Sequence, residues 1–134
     1  MTKTEDASVN EDTSLLDQRH LDMISGLTTE DGQNLAEELF DHVSGEGLDT
    51  LESLVSAVED GNIEAARKLA HRLKGMSSNL GMTRLHEQFR AIEDRAKNGT
   101  NPPLTGTEID DLRALFRDSV EAYRAYALSD GDTT

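Results

Sequence analysis

The sequence contains no cysteine and no tryptophan, only two prolines, and aromatic residues at just 4% of its 134 positions. Without cysteine there are no disulfides, no thiolate nucleophile and no cysteine-ligated zinc. The two prolines are adjacent, at Pro102 and Pro103, and this scarcity favours long helices over a sheet protein with many turns. With so few aromatic residues the core has to be built from Leu, Val, Ile, Ala and Met, and the length suits one domain.

Positive charge and long apolar runs are also scarce. The formal net charge is −14, and an acidic surface repels nucleic acid and anionic membranes, so neither is an expected partner. No apolar run approaches the roughly 18 residues of a transmembrane helix, and no apolar leader precedes a cleavage site. We therefore expect a soluble, cytoplasmic protein.

Apolar residues recur with helical spacing along most of the chain, and no segment alternates as a half-buried strand does. The spacing predicts helices over 14–25, 29–60, 62–80 and 82–97, and a last helix of about 20 residues capped by Thr107. Residues 1–13 and 128–134 are polar and are predicted to be disordered tails. Short connections between long amphipathic helices predict an all-α, antiparallel, up-and-down bundle over residues 14–127.

The predicted helix 29–60 has a weak point. It contains Gly45 and Gly47, and each glycine costs about 1 kcal/mol in a helix interior. One apolar stripe nevertheless keeps its phase across them, and it comprises Phe40, Val43, Gly47, Leu51, Leu54 and Val58. The pattern slightly favours one long helix, kinked or broken at the glycines.

The stretch AHRLKGMSSNLG, residues 70–81, places His71 on the predicted helix 62–80. At about 100° per residue, His71 lies roughly 130° from the centre of the apolar face of that helix. It therefore points toward solvent or a shallow groove, and a role in the core is disfavoured. Gly75, one turn further on, costs about 1 kcal/mol relative to alanine. Either another surface approaches closely there, or the glycine is a tolerated accident.

The charge pattern around His71 differs from that of the whole chain. From Glu64 to Arg84 there are five basic residues and one acidic residue. Such a segment suits an anion, for example a phosphoryl group, although a solvated helix face is the common alternative. The four histidines lack metal-ligand spacing, and no nucleotide-binding or nucleophile-elbow motif is present. We therefore expect neither a metal site nor an ATP site.

The segment Ala-His-x-Leu-Lys-Gly, followed by small residues and Asn-Leu-Gly, resembles the signature of histidine-containing phosphotransfer (HPt) domains. Asp60-Gly61 before the helix and the LxxxFxxIE pattern of residues 85–93 extend the resemblance over roughly residues 20–125. The resemblance implies a four-helix bundle with an additional N-terminal helix. It also implies a phosphoryl carrier without an ATP site, and not an enzyme that turns over substrate.

The resemblance assigns roles to individual residues. It makes His71 the phosphorylated nucleophile, places Lys74 near the phosphoryl oxygens, and gives Gly75 the role of leaving room for the partner. Arg67 is a further candidate for electrostatic support. Contacts with the partner are expected from residues around this site and on the first helix, namely Met23, Ile24, Arg72, Met76 and Ser78.

Glu93 stands where many members of the HPt family have glutamine. A carboxylate there is expected to accept the Nδ1 proton of His71 and leave Nε2 as the nucleophile. The alternative is that Glu93 is only an exposed acid beside Arg90 or Lys97.

The expected function is that of a phosphorelay intermediate. His71 accepts a phosphoryl group from a receiver-domain aspartate of a hybrid histidine kinase and passes it to the receiver of a response regulator. No cofactor is expected on this chain, since the Mg²⁺ ion belongs to the receiver, and the protein is expected to be a monomer. The alternative is a non-catalytic helical module that sequesters a receiver or a kinase.

Overall fold

A computed structural model describes residues 15–25 and 34–125. The elements in the described part are helices, listed in chain order as α1 (Gln18–Ser25), α2 (Leu35–His42), α3 (Leu48–Glu59), α4 (Ile63–Asn79), α5 (Thr83–Lys97) and α6 (Gly106–Tyr123). A π-helical turn, Val43–Gly47, joins α2 to α3. Within these residues the predicted all-helical class is confirmed. The predicted tails, 1–13 and 128–134, lie outside the described residues.

The predicted bounds of α4 are confirmed at both ends. Asn62 caps the helix, because its Oδ1 accepts the backbone N–H of Ala65 at 3.1 Å. At the other end Gly81 adopts a φ of +69°, a left-handed conformation that favours glycine and ends helices. The helix that carries His71 is therefore held by local signals in its own sequence.

The predicted cap of the last helix, Thr107, is wrong by two residues. Thr105 takes that position, because its hydroxyl accepts the N–H of Glu108 while the Glu108 carboxylate accepts the N–H of Thr105. This reciprocal capping box satisfies two backbone donors that a cap at Thr107 leaves open. Arg95 on α5 lies 3.3 Å from the same carboxylate and ties the cap to the neighbouring helix.

The predicted helix 14–25 is interrupted at Leu16 and Asp17, and helix α1 begins at Gln18. It is fastened to the end of α4 by polar contacts. The ring nitrogen Nε2 of His20 bonds to the carbonyl of Asn79, and the backbone N–H of Asp17 donates to the carbonyl of Gly81 at 2.6 Å. These bonds satisfy carbonyls at the C-terminal end of α4, where the helix itself supplies no donors.

The helix near Gly45 and Gly47 is continuous and contains a π turn. The flanking residues, His42 and Leu48, keep right-handed helical backbone angles. The predicted stripe also keeps its phase, since five of its six members are buried, namely Val43, Gly47, Leu51, Leu54 and Val58. Gly47 packs against α4 so closely that an added Cβ would lie 2.8 Å from the Sδ atom of Met76.

The core lies between the helices and is mostly aliphatic, as predicted. Helices α4 and α5 make the most extensive contact, followed by α3 and α4. The largest buried side chains are Leu21, Leu51, Leu54, Leu73, Leu80, Met82, Leu85, Phe89, Ile92 and Tyr123. No helix in the described part of the chain combines the length and apolarity needed to cross a membrane.

Tyr123, at the end of α6, contacts α2, and the loss of its hydroxyl is expected to lower stability measurably. Its hydroxyl donates to the carbonyl of Ala36 at 2.8 Å, its ring stacks on Phe40, and burial raises its pKa to about 12. Tyr123→Phe keeps the ring and removes the bond, so we expect a loss of about 1 kcal/mol in the free energy of unfolding. Urea denaturation measures it, and an unchanged midpoint would show that the bond contributes nothing.

Candidate functional site

Helix α4 places His71 on its exposed side. The adjacent core positions Ala70 and Leu73 are fully buried, whereas the side chain of His71 keeps 66% of its surface exposed. The predicted outward direction is therefore confirmed. Its role as a nucleophile stays a prediction.

The carboxylate of Glu93, on α5, contacts the Nδ1 edge of this imidazole. Its Oε2 lies 2.8 Å from Nδ1 of His71, and its side chain is only 3% exposed. Burial raises the pKa of Glu93, but hydrogen bonds and charges from Lys74 and His71 outweigh burial and hold that pKa below its usual range. The interpretation of Glu93 as an exposed acid is wrong.

The ionised carboxylate determines which ring nitrogen is free. A carboxylate can only accept, so the Nδ1 atom of His71 carries the hydrogen that Glu93 binds. In the neutral ring the second nitrogen, Nε2, then holds an unshared electron pair. The contact between His71 and Glu93 thus leaves Nε2 as the ring nitrogen that is able to act as a nucleophile.

Two lysines compensate the buried charge of Glu93. The Nζ of Lys74 lies 2.8 Å from Oε1, and the Nζ of Lys97 lies 3.7 Å from Oε2. Removing the partners of a buried charge is costly, and the hydrogen bonds and charges of Lys74 and His71 keep Glu93 ionised in the bundle. Arg90, the other neighbour that the sequence suggested for Glu93, pairs with Glu87 at 3.1 Å.

Gly75 lies on open surface one turn from His71. A Cβ added at this position meets no atom within 4 Å, and the residue is exposed. Packing among the described residues therefore gives no reason for glycine in the middle of α4. The expectation that Gly75 leaves room for a partner remains a prediction, and the open surface is compatible with it.

A groove of about 450 Å³ lies beside His71. Arg72, Gly75 and Met76 line it on the α4 side, and their expected contact with a partner stays a prediction. The opposite wall comes from α2, the π turn and α3, through Leu39, His42, Glu46 and Thr50. Sequence reasoning did not identify this wall, although the stripe that places Val43 and Gly47 against α4 was the available signal.

The other predicted site residues are dispersed. The guanidinium of Arg67 bonds to the carboxylate of Glu64, one turn back on α4. Ser78 lines a second groove, between the start of α1, the end of α4 and the start of α5. Met23 is 57% exposed but lines neither groove, and the side chain of Ile24 lies outside the described part. In that part, no three His, Asp or Glu residues are grouped to hold a metal ion.

The basic segment around His71 is partly neutralised in the folded chain. Of its cations, Lys74 is paired with Glu93 and Arg67 with Glu64, whereas the side chain of Arg72 is exposed beside the groove. Pairing fixes the position of Lys74, about one turn from His71. The arrangement can present one cation and one unprotonated ring nitrogen to an incoming anionic group.

Comparison with known proteins identifies the family. A family model described as the Hpt domain matches residues 38–126. Neither the curated proteins nor the solved structures contain a match to this chain. The matched segment covers more than half of the sequence and includes both helices that meet at His71 and Glu93. On this evidence the chain belongs to the Hpt domain family.

Proposed function

We propose that this chain is a phosphorelay intermediate that accepts a phosphoryl group on Nε2 of His71. Membership in the Hpt family implies histidine phosphotransfer in a phosphorelay. The donor in this proposal is a receiver-domain aspartate of a hybrid histidine kinase, and the acceptor is the receiver of a response regulator. The observation that carries it is an exposed imidazole whose Nδ1 lies 2.8 Å from the buried carboxylate of Glu93.

The proposed transfer needs little covalent chemistry from this chain. Nε2 of His71 attacks phosphorus, the N–P bond forms as the bond between phosphorus and the aspartate oxygen breaks, and the leaving electrons stay on the receiver's carboxylate. In this proposal Glu93 balances the charge that the ring acquires, and Lys74, which is paired with Glu93, supplies positive charge for the phosphoryl oxygens. Positioning and charge neutralisation dominate such reactions, and the receiver supplies the aspartate and its Mg²⁺ ion.

The proposal also covers the assembly. We place α2 to α6 in a four-helix up-and-down bundle, with α2, the π turn and α3 counted as one helix and α1 as the additional N-terminal helix. The contacts of α4 with α3 and α5, and of α5 with α6, support that order. In this proposal the protein acts as a cytoplasmic monomer and needs no cofactor of its own.

A direct test uses the purified chain and a panel of phosphorylated receiver domains with Mg²⁺. We expect rapid transfer of label to this chain from a subset of receivers, in a form that is acid-labile and alkali-stable, as phosphohistidine is. Binding of receivers without label on this chain in any combination would contradict the proposal. That result would instead support the alternative of a module that sequesters its partner.

Gly75→Ala separates stability from docking. Because no atom lies within 4 Å of the new methyl group and alanine favours a helix interior, we expect the free energy of unfolding to rise by about 0.5–1 kcal/mol over the wild type. Transfer from a receiver is expected to slow about tenfold, since the methyl group obstructs a surface that has to approach His71 closely. Chemical denaturation and transfer rates measure the two effects.

The control for Gly75→Ala is the reactivity of the histidine itself. Labelling by a small donor such as phosphoramidate needs no docking surface, so it is expected to remain at the wild-type rate. If the receiver and the small donor react with the variant as they do with the wild type, Gly75 does not provide clearance.

A further inference from the structure

We infer that Lys97 is a positioning residue for phosphotransfer. Its ammonium shares Oε2 of Glu93 with the imidazole of His71 and thereby opposes protonation of the nucleophile. The inference rests on the proposed function of His71. It concerns a residue one helix away from the nucleophile.

The geometry places both groups on one oxygen atom. Oε2 of Glu93 lies 2.8 Å from Nδ1 of His71 and 3.7 Å from Nζ of Lys97, while Oε1 is occupied by Lys74. Lys97 is the last residue of α5, one turn after Glu93, and its side chain is 53% exposed. Its ammonium therefore lies at the rim of the site and competes with the ring for the carboxylate.

The number of cations around Glu93 gives the direction of the effect of Lys97 on the protonation of His71. One carboxylate already has two ammonium groups, from Lys74 and Lys97, so a protonated His71 would be the third cation on a single anion. A protonated ring carries hydrogen on both nitrogens and has no electron pair for phosphorus. Removing Lys97 therefore favours the unreactive form of the ring.

The remaining charged groups around the ring do not replace Lys97. On α4, Arg67 is bound to Glu64, and Arg72 lines the groove from the same helix as His71. Across the groove His42 and Glu46 form a pair of their own at 3.1 Å. Arg67 also interacts with the charge of Glu93, but within ion-pair distance only Lys74, among the described groups, shares this carboxylate with Lys97 and the ring.

The test compares pH profiles of label transfer for Lys97→Met and wild type. Methionine keeps the aliphatic stem and removes the charge. At pH 6 we expect Lys97→Met to accept label about two- to fourfold more slowly than the wild type, because one partly exposed charge has an effect of about this size. At pH 8.5, where the ring is neutral in both proteins, the two rates should be equal. Lys97→Arg restores the charge and should restore the wild-type profile.

The matched control is Lys68→Met, which removes the same charge from an exposed position on α4 where the lysine interacts with Glu64. Its pH profile is expected to follow the wild type. A Lys97→Met profile that coincides with that of Lys68→Met, or a Lys97→Arg protein that behaves like Lys97→Met, would overturn the inference.

A second readout needs no phosphoryl donor. The ¹⁵N NMR titration of the His71 ring is expected to move to higher pH in Lys97→Met and to stay unchanged in Lys68→Met. Coincident titrations of wild type and Lys97→Met, together with normal labelling, would refute the role of Lys97 alone. A wild-type protein that never takes label would refute the proposed function and, with it, the role of Lys97 in transfer.

Discussion

His71→Gln is expected to lower phosphoryl acceptance by more than about a thousandfold, because it removes the nucleophile itself. The glutamine amide can still donate to Glu93, and the side chain at this position is largely exposed. We therefore expect the free energy of unfolding to stay within about 0.5 kcal/mol of the wild type. Transfer of label from a phosphorylated receiver measures the first effect, and urea denaturation measures the second.

His42→Gln is the matched control for His71→Gln. His42 is also exposed and lines the same groove, but its ring pairs with Glu46 instead of Glu93. This variant should still accept label on His71. Equal labelling of His71→Gln and wild type would show that phosphate resides elsewhere, whereas loss of label in both variants would assign the effect to the shape of the groove.

Glu93→Ala is expected to slow phosphoryl acceptance about 10- to 100-fold, the range seen when a group that orients a histidine is removed. The change removes the only carboxylate that contacts Nδ1 of His71 among the described residues. The ring can then carry its hydrogen on Nε2, and the ring also loses the negative charge that balances it after transfer. Single-turnover transfer measures the rate, and ¹⁵N NMR reports which nitrogen is protonated.

Glu93→Gln separates orientation from charge. The amide oxygen can still accept the Nδ1 hydrogen, so transfer in this variant is expected to remain within about threefold of the wild type at pH 8.5. Glu87→Ala removes an exposed acid from the same helix and should have no effect on transfer. An Nε2-protonated ring in wild type, or a Glu93→Ala protein that transfers at the normal rate, would contradict the orienting role.

The direction of His71 could be predicted because it depends on one helix alone. Once residues 62–80 are helical, the angle between His71 and the apolar face is set by the 3.6-residue repeat. The cap at Asn62 and the end at Gly81 are local signals of the same kind. Thr107 shows the limit of such signals, because Thr105 forms the capping box with Glu108 and two threonines two residues apart offer competing caps.

The surroundings of Glu93 depend on how two helices pack, so the periodicity of one helix did not predict them. Within α5, Glu93 lies beside the apolar position Ile92, at the edge of the buried face, where one helix gives no preference for burial. Contact between α4 and α5 buries it and brings Lys74 to the same carboxylate. The opposite wall of the groove was missed because it, too, depends on how two helices pack: the apolar stripe showed that Val43 and Gly47 are buried, but not that α4 covers them.

The π turn at Val43–Gly47 has a consequence for how this surface can vary among relatives. A π turn contains one residue more than the α-helical turn that it replaces. Deleting a single residue there would restore a regular helix and rotate everything before it by about 100° relative to α3. Leu39 and His42 would then leave the groove while Thr50 stayed. A one-residue insertion or deletion could thus exchange half of the wall opposite α4 in one evolutionary step, at the cost of the contacts of Ala36 and Phe40 with Tyr123, while the sequences of α4 and α5, which carry His71 and Glu93, stay unchanged.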